Sequence, residues 1–77
     1  MTIEQVVVPD FGGVQKITVI EVFVRAGDRV ERDAPLIALE SEKAVMEIPS
    51  PRAGTIARVA LTEGQQVAGG DLIVEIA

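Results

Sequence analysis

The chain has no cysteine, histidine, tryptophan or tyrosine, and its aromatic residues are limited to Phe11 and Phe23. Without cysteine there is no disulfide staple and no thiolate metal site, and without histidine the usual zinc ligand and the commonest general base are missing too. Neither a metal site nor a catalytic residue is assigned. Two aromatics cannot build a platform for stacking nucleic acid bases. Positive charge is also scarce: seven Lys and Arg against twelve Asp and Glu give a formal net charge of −5, which repels phosphate backbones and anionic lipid surfaces. No apolar run approaches the roughly 18–20 residues of a membrane span, and Met1-Thr2-Ile3-Glu4 lacks the basic start of a secretory signal. This composition predicts a cytoplasmic domain that uses neither nucleic acid nor membrane as a partner.

What the chain does have is aliphatic: 48% of its 77 residues are hydrophobic. That length suits one domain spanning 1–77, with a modest core and a stability of about 4–12 kcal/mol. Apolar residues recur with period two in short Val- and Ile-rich runs at 3–8, 18–25, 36–40, 45–48, 54–61 and 72–76, each ending near Gly, Pro or Asp. Alternate side chains in such runs share one face of a strand. Pro35 argues against a helix over 28–39, because it removes a backbone donor and clashes with the preceding turn. A short strand, a turn and a second strand fit better there.

The second half of the sequence echoes the first. Setting Gly27 against Gly64 aligns Val22 with Val59 and Val30 with Val67 at an offset of 37 residues; dropping one residue then aligns Leu36-Ile37 with Leu72-Ile73 at 36. Each half reads as strand, glycine turn, short strand, loop, strand. Two halves of this kind predict an all-β flattened barrel or sandwich of two small antiparallel sheets, related by a pseudo-twofold axis, with the halves packed face to face. Pairing the two outermost strands would shield their edges. Gly27 and Gly64 are assigned to turns, and Val22, Val24, Val30, Ile37, Leu39, Ile48, Ile56, Val59, Val67 and Ile73 to the core.

Between the halves lie two strands separated by a few polar residues, the spacing of a tight hairpin with Lys43 at its tip. A turn lysine is ordinarily a solubilising residue. Lys43 is a poor nucleophile beside Glu40, Glu42 and Glu47, which favour the charged ammonium. A rigid, exposed hairpin is, however, a suitable place for another enzyme to attach a group.

The segment Glu40-Ser41-Glu42-Lys43-Ala44 resembles the modification motif of lipoyl domains in the biotinyl/lipoyl carrier family. The likeness extends through Val8-Pro9-Asp10-Phe11-Gly12-Gly13, Ala26-Gly27-Asp28-Arg29-Val30, Ile48-Pro49-Ser50-Pro51-Arg52-Ala53-Gly54 and Glu63-Gly64-Gln65-Gln66-Val67. The pair Gly12-Gly13 and the Ser50-Pro51 ending are similar to lipoyl domains of bacterial pyruvate dehydrogenase acetyltransferases. Biotinyl domains, the sister group, carry methionine on both sides of the lysine. Here the neighbours are Glu42 and Ala44, and Met46 is placed as a filler of a hydrophobic gap.

The resemblance implies a covalent carrier without activity of its own, bearing lipoate as an amide on Lys43 between Glu42 and Ala44. It implies a lipoate-attaching ligase or transferase and a thiamine-diphosphate-dependent 2-oxo-acid decarboxylase that acylates the lipoyl group. An acyltransferase domain then moves the acyl group to coenzyme A, and a dihydrolipoyl dehydrogenase reoxidises the arm. Glu40, Glu42 and the loop residues Phe11, Gly12, Gly13, Val14 and Gln15 are the expected recognition face. The parent chain is expected to be longer, with this as its N-terminal domain, either an acetyltransferase or a dihydrolipoyl dehydrogenase; the isolated domain is expected to be a monomer. The alternatives are a biotinyl carrier of a carboxylase and an unmodified β interaction module. Lys16, between Gln15 and Ile17, lacks the motif and serves as an internal control. Lys43→Arg should abolish modification while leaving the melting temperature essentially unchanged, since an exposed turn residue supports little packing. Val59→Ala should instead cost about 1–3 kcal/mol in a denaturation experiment and leave Lys43 modifiable.

Overall fold

The Val- and Ile-rich runs form the strands of the domain. The computed structural model describes residues 3–10, 16–42 and 44–77, and within them eight strands follow one another: β1 (Glu4–Val7), β2 (Ile17–Val22), β3 (Arg29–Val30), β4 (Pro35–Glu40), β5 (Val45–Pro49), β6 (Gly54–Val59), β7 (Gln66–Val67) and β8 (Leu72–Ile76). No helix among the described residues is long and apolar enough to cross a membrane. The strands make two four-stranded antiparallel sheets, ordered β1-β8-β6-β3 and β5-β4-β2-β7.

These two orders become one another when β1 is exchanged with β5, β2 with β6, β3 with β7 and β4 with β8. That is the expected pseudo-twofold symmetry, with one correction: the halves do not each form a sheet and stack. Each sheet draws two strands from either half, because β3 pairs with β6 and β7 pairs with β2.

The repeat is also more regular than the sequence alignment suggests. Val22 pairs with Ile37 and Val59 pairs with Val74, so the offset remains 37 and the equivalent of Leu36-Ile37 is Ile73-Val74, not Leu72-Ile73. The aliphatic run in both strands hides this one-residue slip, which only the facing partners resolve. Loop hydrogen bonds repeat at the same offset. Phe23 N–H donates to Leu36 O at 2.9 Å and Ala60 N–H to Ile73 O at 2.8 Å; Gly27 N–H donates to Ile56 O at 2.8 Å and Gly64 N–H to Val19 O at 2.7 Å.

The inward faces meet in one aliphatic core. Val30, Ile37, Leu39, Ile48, Ile56, Val67 and Ile73 are buried as expected, while Val22, Val24 and Val59 are partly buried at its margin. The core also takes Val6, Val8, Ile17, Val19, Leu36, Leu61, Val74 and Ile76. Met46 packs against this cluster from the partly buried layer. Strand β2 is shorter than the run at 18–25 because the chain leaves the sheet after Val22 towards the Gly27 turn. Ser50, 1% exposed, follows β5, and its hydroxyl donates to Arg52 O at 2.6 Å.

Gly27 and Gly64 hold φ values of 95° and 87°, in the left-handed region that costs a side chain about 1–2 kcal/mol. A Cβ at either would meet nothing within 4 Å, whereas one at Gly54 would lie 2.6 Å from Ile76 Cγ2 and 2.7 Å from Ala77 O. Gly27→Ala and Gly64→Ala should therefore each lose about 1–2 kcal/mol, for conformational reasons alone. Gly54→Ala should lose more in the same urea titrations. An equal or smaller loss at Gly54 would mean that the end of β8 yields freely.

Candidate functional site

Strand β4 is apolar nearly throughout, Leu36-Ile37-Ala38-Leu39, and β5 alternates, with Met46 and Ile48 facing in and Val45, Glu47 and Pro49 exposed. Their ladder runs from Pro35 opposite Pro49 to Glu40 opposite Val45. Beyond that pair, Ser41 N–H donates to Ala44 O at 2.8 Å, closing the hairpin around residues 42–43. The Ser41 hydroxyl adds two contacts at 3.3 Å, accepting from Ala44 N–H and donating to Ala44 O. Lys43 itself lies outside the described residues; its chain neighbours Glu42 and Ala44 are both exposed.

The hairpin closes one end of a body measuring 36 × 19 × 18 Å. The two described chain ends lie at the other. Glu4 pairs with Ile76, and Ala77 N–H donates to Thr55 O at 2.8 Å. The opposite end of the hairpin ladder leads there directly, since Asp33 N–H donates to Ser50 O at 2.8 Å and Val30 pairs with Gly54.

Around the hairpin the outward face of its sheet is acidic. Glu40 lies between Val45, 60% exposed, and Thr18, while Ala38 lies between Glu47 and Glu21. The equivalent row on the other sheet is Gln5, Glu75 and Arg58, where Gln5 Nε2 donates to Glu75 Oε2 at 3.2 Å and a basic residue faces the carboxylate. The Glu47-Ala38-Glu21 row holds two carboxylates and no basic residue. Glu40 closes the ladder opposite Val45, and Glu42, exposed, follows it two residues on.

Phe11, Gly12, Gly13, Val14 and Gln15 lie outside the described residues. The segment's described ends both stand at the hairpin end of the body. Lys16 leads into β2, where Thr18 pairs with Glu40. On the other side, Gly69 packs so closely on Pro9 and Asp10 that a Cβ there would lie 3.2 Å from Asp10 Cα and from Pro9 O. Ser41 belongs to the site as well, beyond the residues expected there. Its signal was present, because serine at a turn readily bonds its own neighbouring backbone.

A shallow groove lies elsewhere, between the loops after β2 and β6, lined by Val22, Phe23, Val24, Leu61 and charged residues. Its carboxylates are engaged: Asp28 Oδ2 caps its own turn, accepting from Arg25 N–H at 3.0 Å, and Glu63 Oε2 reaches across from the other loop to accept from Val22 N–H at 3.3 Å. Among the described residues no group of three or more Asp and Glu is placed to hold a metal ion.

The chain belongs to the biotin/lipoyl family, whose model, described as "Biotin-requiring enzyme", matches residues 4–76. It is 49% identical over 75 residues to the dihydrolipoyllysine-residue acetyltransferase component of the pyruvate dehydrogenase complex of Pseudomonas aeruginosa, covering 97% of this chain and 14% of that protein. The corresponding component from Azotobacter vinelandii is 49% identical over 73 residues, covering 95% of this chain and 11% of the relative. The chain thus spans only a small part of the length of these relatives.

Among solved structures, the lipoyl domain of the 2-oxoglutarate dehydrogenase complex from Azotobacter vinelandii superposes with a TM-score of 0.78 at 27% identity, covering 95% of this chain and 94% of that one. Kluyveromyces lactis urea carboxylase shares the fold at a TM-score of 0.80 and 20% identity, over 100% of this chain and 6% of that one.

Proposed function

We propose that this domain is the lipoyl carrier of a 2-oxo-acid dehydrogenase complex, pyruvate dehydrogenase in particular, with lipoate joined as an amide to Lys43. The observation that carries this reading is the closed β4–β5 hairpin, with Glu42 and Ala44 exposed on either side of Lys43. An amide-linked group of this kind requires an accessible lysine on a firm support. The chain's lack of cysteine agrees with this, because the sulfurs arrive with the prosthetic group. When bound, lipoate supplies a dithiolane that takes up an acyl group with reduction, passes it to coenzyme A and is reoxidised.

The chain's own residues do the rest. The two sheets fix the base of the hairpin, and the core behind Leu39 and Met46 prevents β4 and β5 from sliding against one another. Glu40, Glu42 and the segment 11–15 present the surface by which a ligase or transferase and a thiamine-diphosphate-dependent decarboxylase select this lysine. The acyltransferase and the dihydrolipoyl dehydrogenase complete the cycle. We place the domain in the cytoplasm, as a monomer by itself and as one domain of a longer acetyltransferase chain. Tethering within such an assembly makes each transfer intramolecular, at effective concentrations of about a millimolar for suitable linkers. Glu42 and Ala44, where a biotinyl domain has methionines, favour lipoate over biotin.

Incubation with a lipoate–protein ligase, ATP and lipoate, followed by intact-mass and fragment analysis, should find one lipoyl group, on Lys43 and none on Lys16. Lys43→Arg should remain unmodified. A small amine-reactive ester should label both lysines, since chemical labelling does not read the hairpin. Biotin at Lys43 under a biotin ligase, with no lipoyl product, would make this a carboxylase carrier; a folded domain that accepts neither would reduce it to an interaction module.

A further inference from the structure

The two ends of the barrel are equivalent by the pseudo-twofold axis but are finished differently. At one end β1 and β8 pair, Glu4 opposite Ile76, without a linking turn. At the other, β4 and β5 are joined through residues 41–44, and the joint is tied by a side chain. Ser41 N–H reaches Ala44 O at 2.8 Å, and the Ser41 hydroxyl engages Ala44 twice, accepting from its N–H and donating to its carbonyl, each at 3.3 Å. Both polar groups of the Ala44 backbone therefore converge on Ser41. Among the described residues, the side-chain bond between β1 and β8 runs across the ladder, from Gln5 Nε2 to Glu75 Oε2, and no serine hydroxyl ties the end of that pair.

We propose that Ser41 is a positioning residue for modification of the domain: its hydroxyl ties Ser41 to Ala44, so that the modifying enzyme meets two strand ends held at a fixed spacing on either side of the acceptor. The proposal rests on the reading of Lys43 as the acceptor. An enzyme that must bring one amine to an activated acyl group docks on the backbone frame carrying that amine. The apparent affinity of such a docking falls by the fraction of molecules whose turn is competent, and ordering a loose turn at the moment of binding costs further affinity. The hydroxyl acts on the turn and not on the amine, so it should affect recognition and leave the chemical step alone.

Modification kinetics of the 77-residue domain with lipoate–protein ligase, ATP and lipoate, measured well below the melting temperature, test this. Ser41→Ala should raise KM for the domain about tenfold with kcat within twofold of the parent. Its melting temperature should hold, and its Ala44 amide hydrogen should exchange faster. Ser41→Thr keeps the hydroxyl and should restore KM to near the parent value. An unchanged KM in Ser41→Ala would overturn the proposal, as would a threonine variant as defective as the alanine one. A fall in kcat together with a lowered melting temperature would also overturn it by making Ser41 a part of the scaffold. If the parent domain is not modified at Lys43 at all, the carrier reading fails first. The exchange rate of the Ala44 amide then decides the clamp by itself, and unaltered protection in Ser41→Ala refutes it.

Discussion

Neither half of this chain can complete a sheet alone, and this constraint organises the molecule. Strands β3 and β7 are two residues long, too short to persist in isolation. Each extends the sheet whose neighbouring strand comes from the other half: β3 lies against β6 and β7 against β2. The exchange ties the two repeats through backbone hydrogen bonds as well as through the shared aliphatic core. A chain with no disulfide gains from it a cooperative unit in which no single repeat can unfold by itself, since opening one strips two strands from each sheet.

Once the scaffold is symmetric, function is found where the symmetry fails. From β2 to β4 the turn geometry, the loop hydrogen bonds and the facing pairs repeat in β6 to β8 at an offset of 37, down to the positive φ of Asp33 and Gly70. The two ends do not repeat: one carries the described chain ends, the other the hairpin around residues 42–43. Nor do the outward faces, since Arg58 and Gln5 flank Glu75 on one sheet while Glu21 and Glu47 flank Ala38 on the other. Folding places the same demands on both faces, so the acidic surface beside the hairpin is not a requirement of the barrel. A rigid body with one distinctive end suits a carrier, whose task is presentation.

Much of this was legible in the sequence because the cues were local. Period-two runs marked the long strands, Gly27 and Gly64 marked the turns, and Pro35 separated β3 from β4. What misled was also local. Thr18 to Arg25 reads as one run, yet the sheet releases the chain after Val22. Leu36-Ile37 aligned naturally with Leu72-Ile73, but the facing residues Val22 and Val59 select Ile37 and Val74. Aliphatic side chains are nearly interchangeable in a pattern, so a pattern alone does not fix register.

The amino-acid sequence by itself determined the class of the fold, the duplication, the hairpin between the repeats and the lysine within it, because spacing, turn residues and a short motif are properties of neighbours along the chain. Only the tertiary structure decided which half lends strands to which sheet, that the repeat holds one offset from β2 through β4, which face is left acidic, and that Ser41 ties the turn. Each of these depends on which residues meet across the sheets, and those pairings are settled when the chain closes on itself and the core selects the register that buries it.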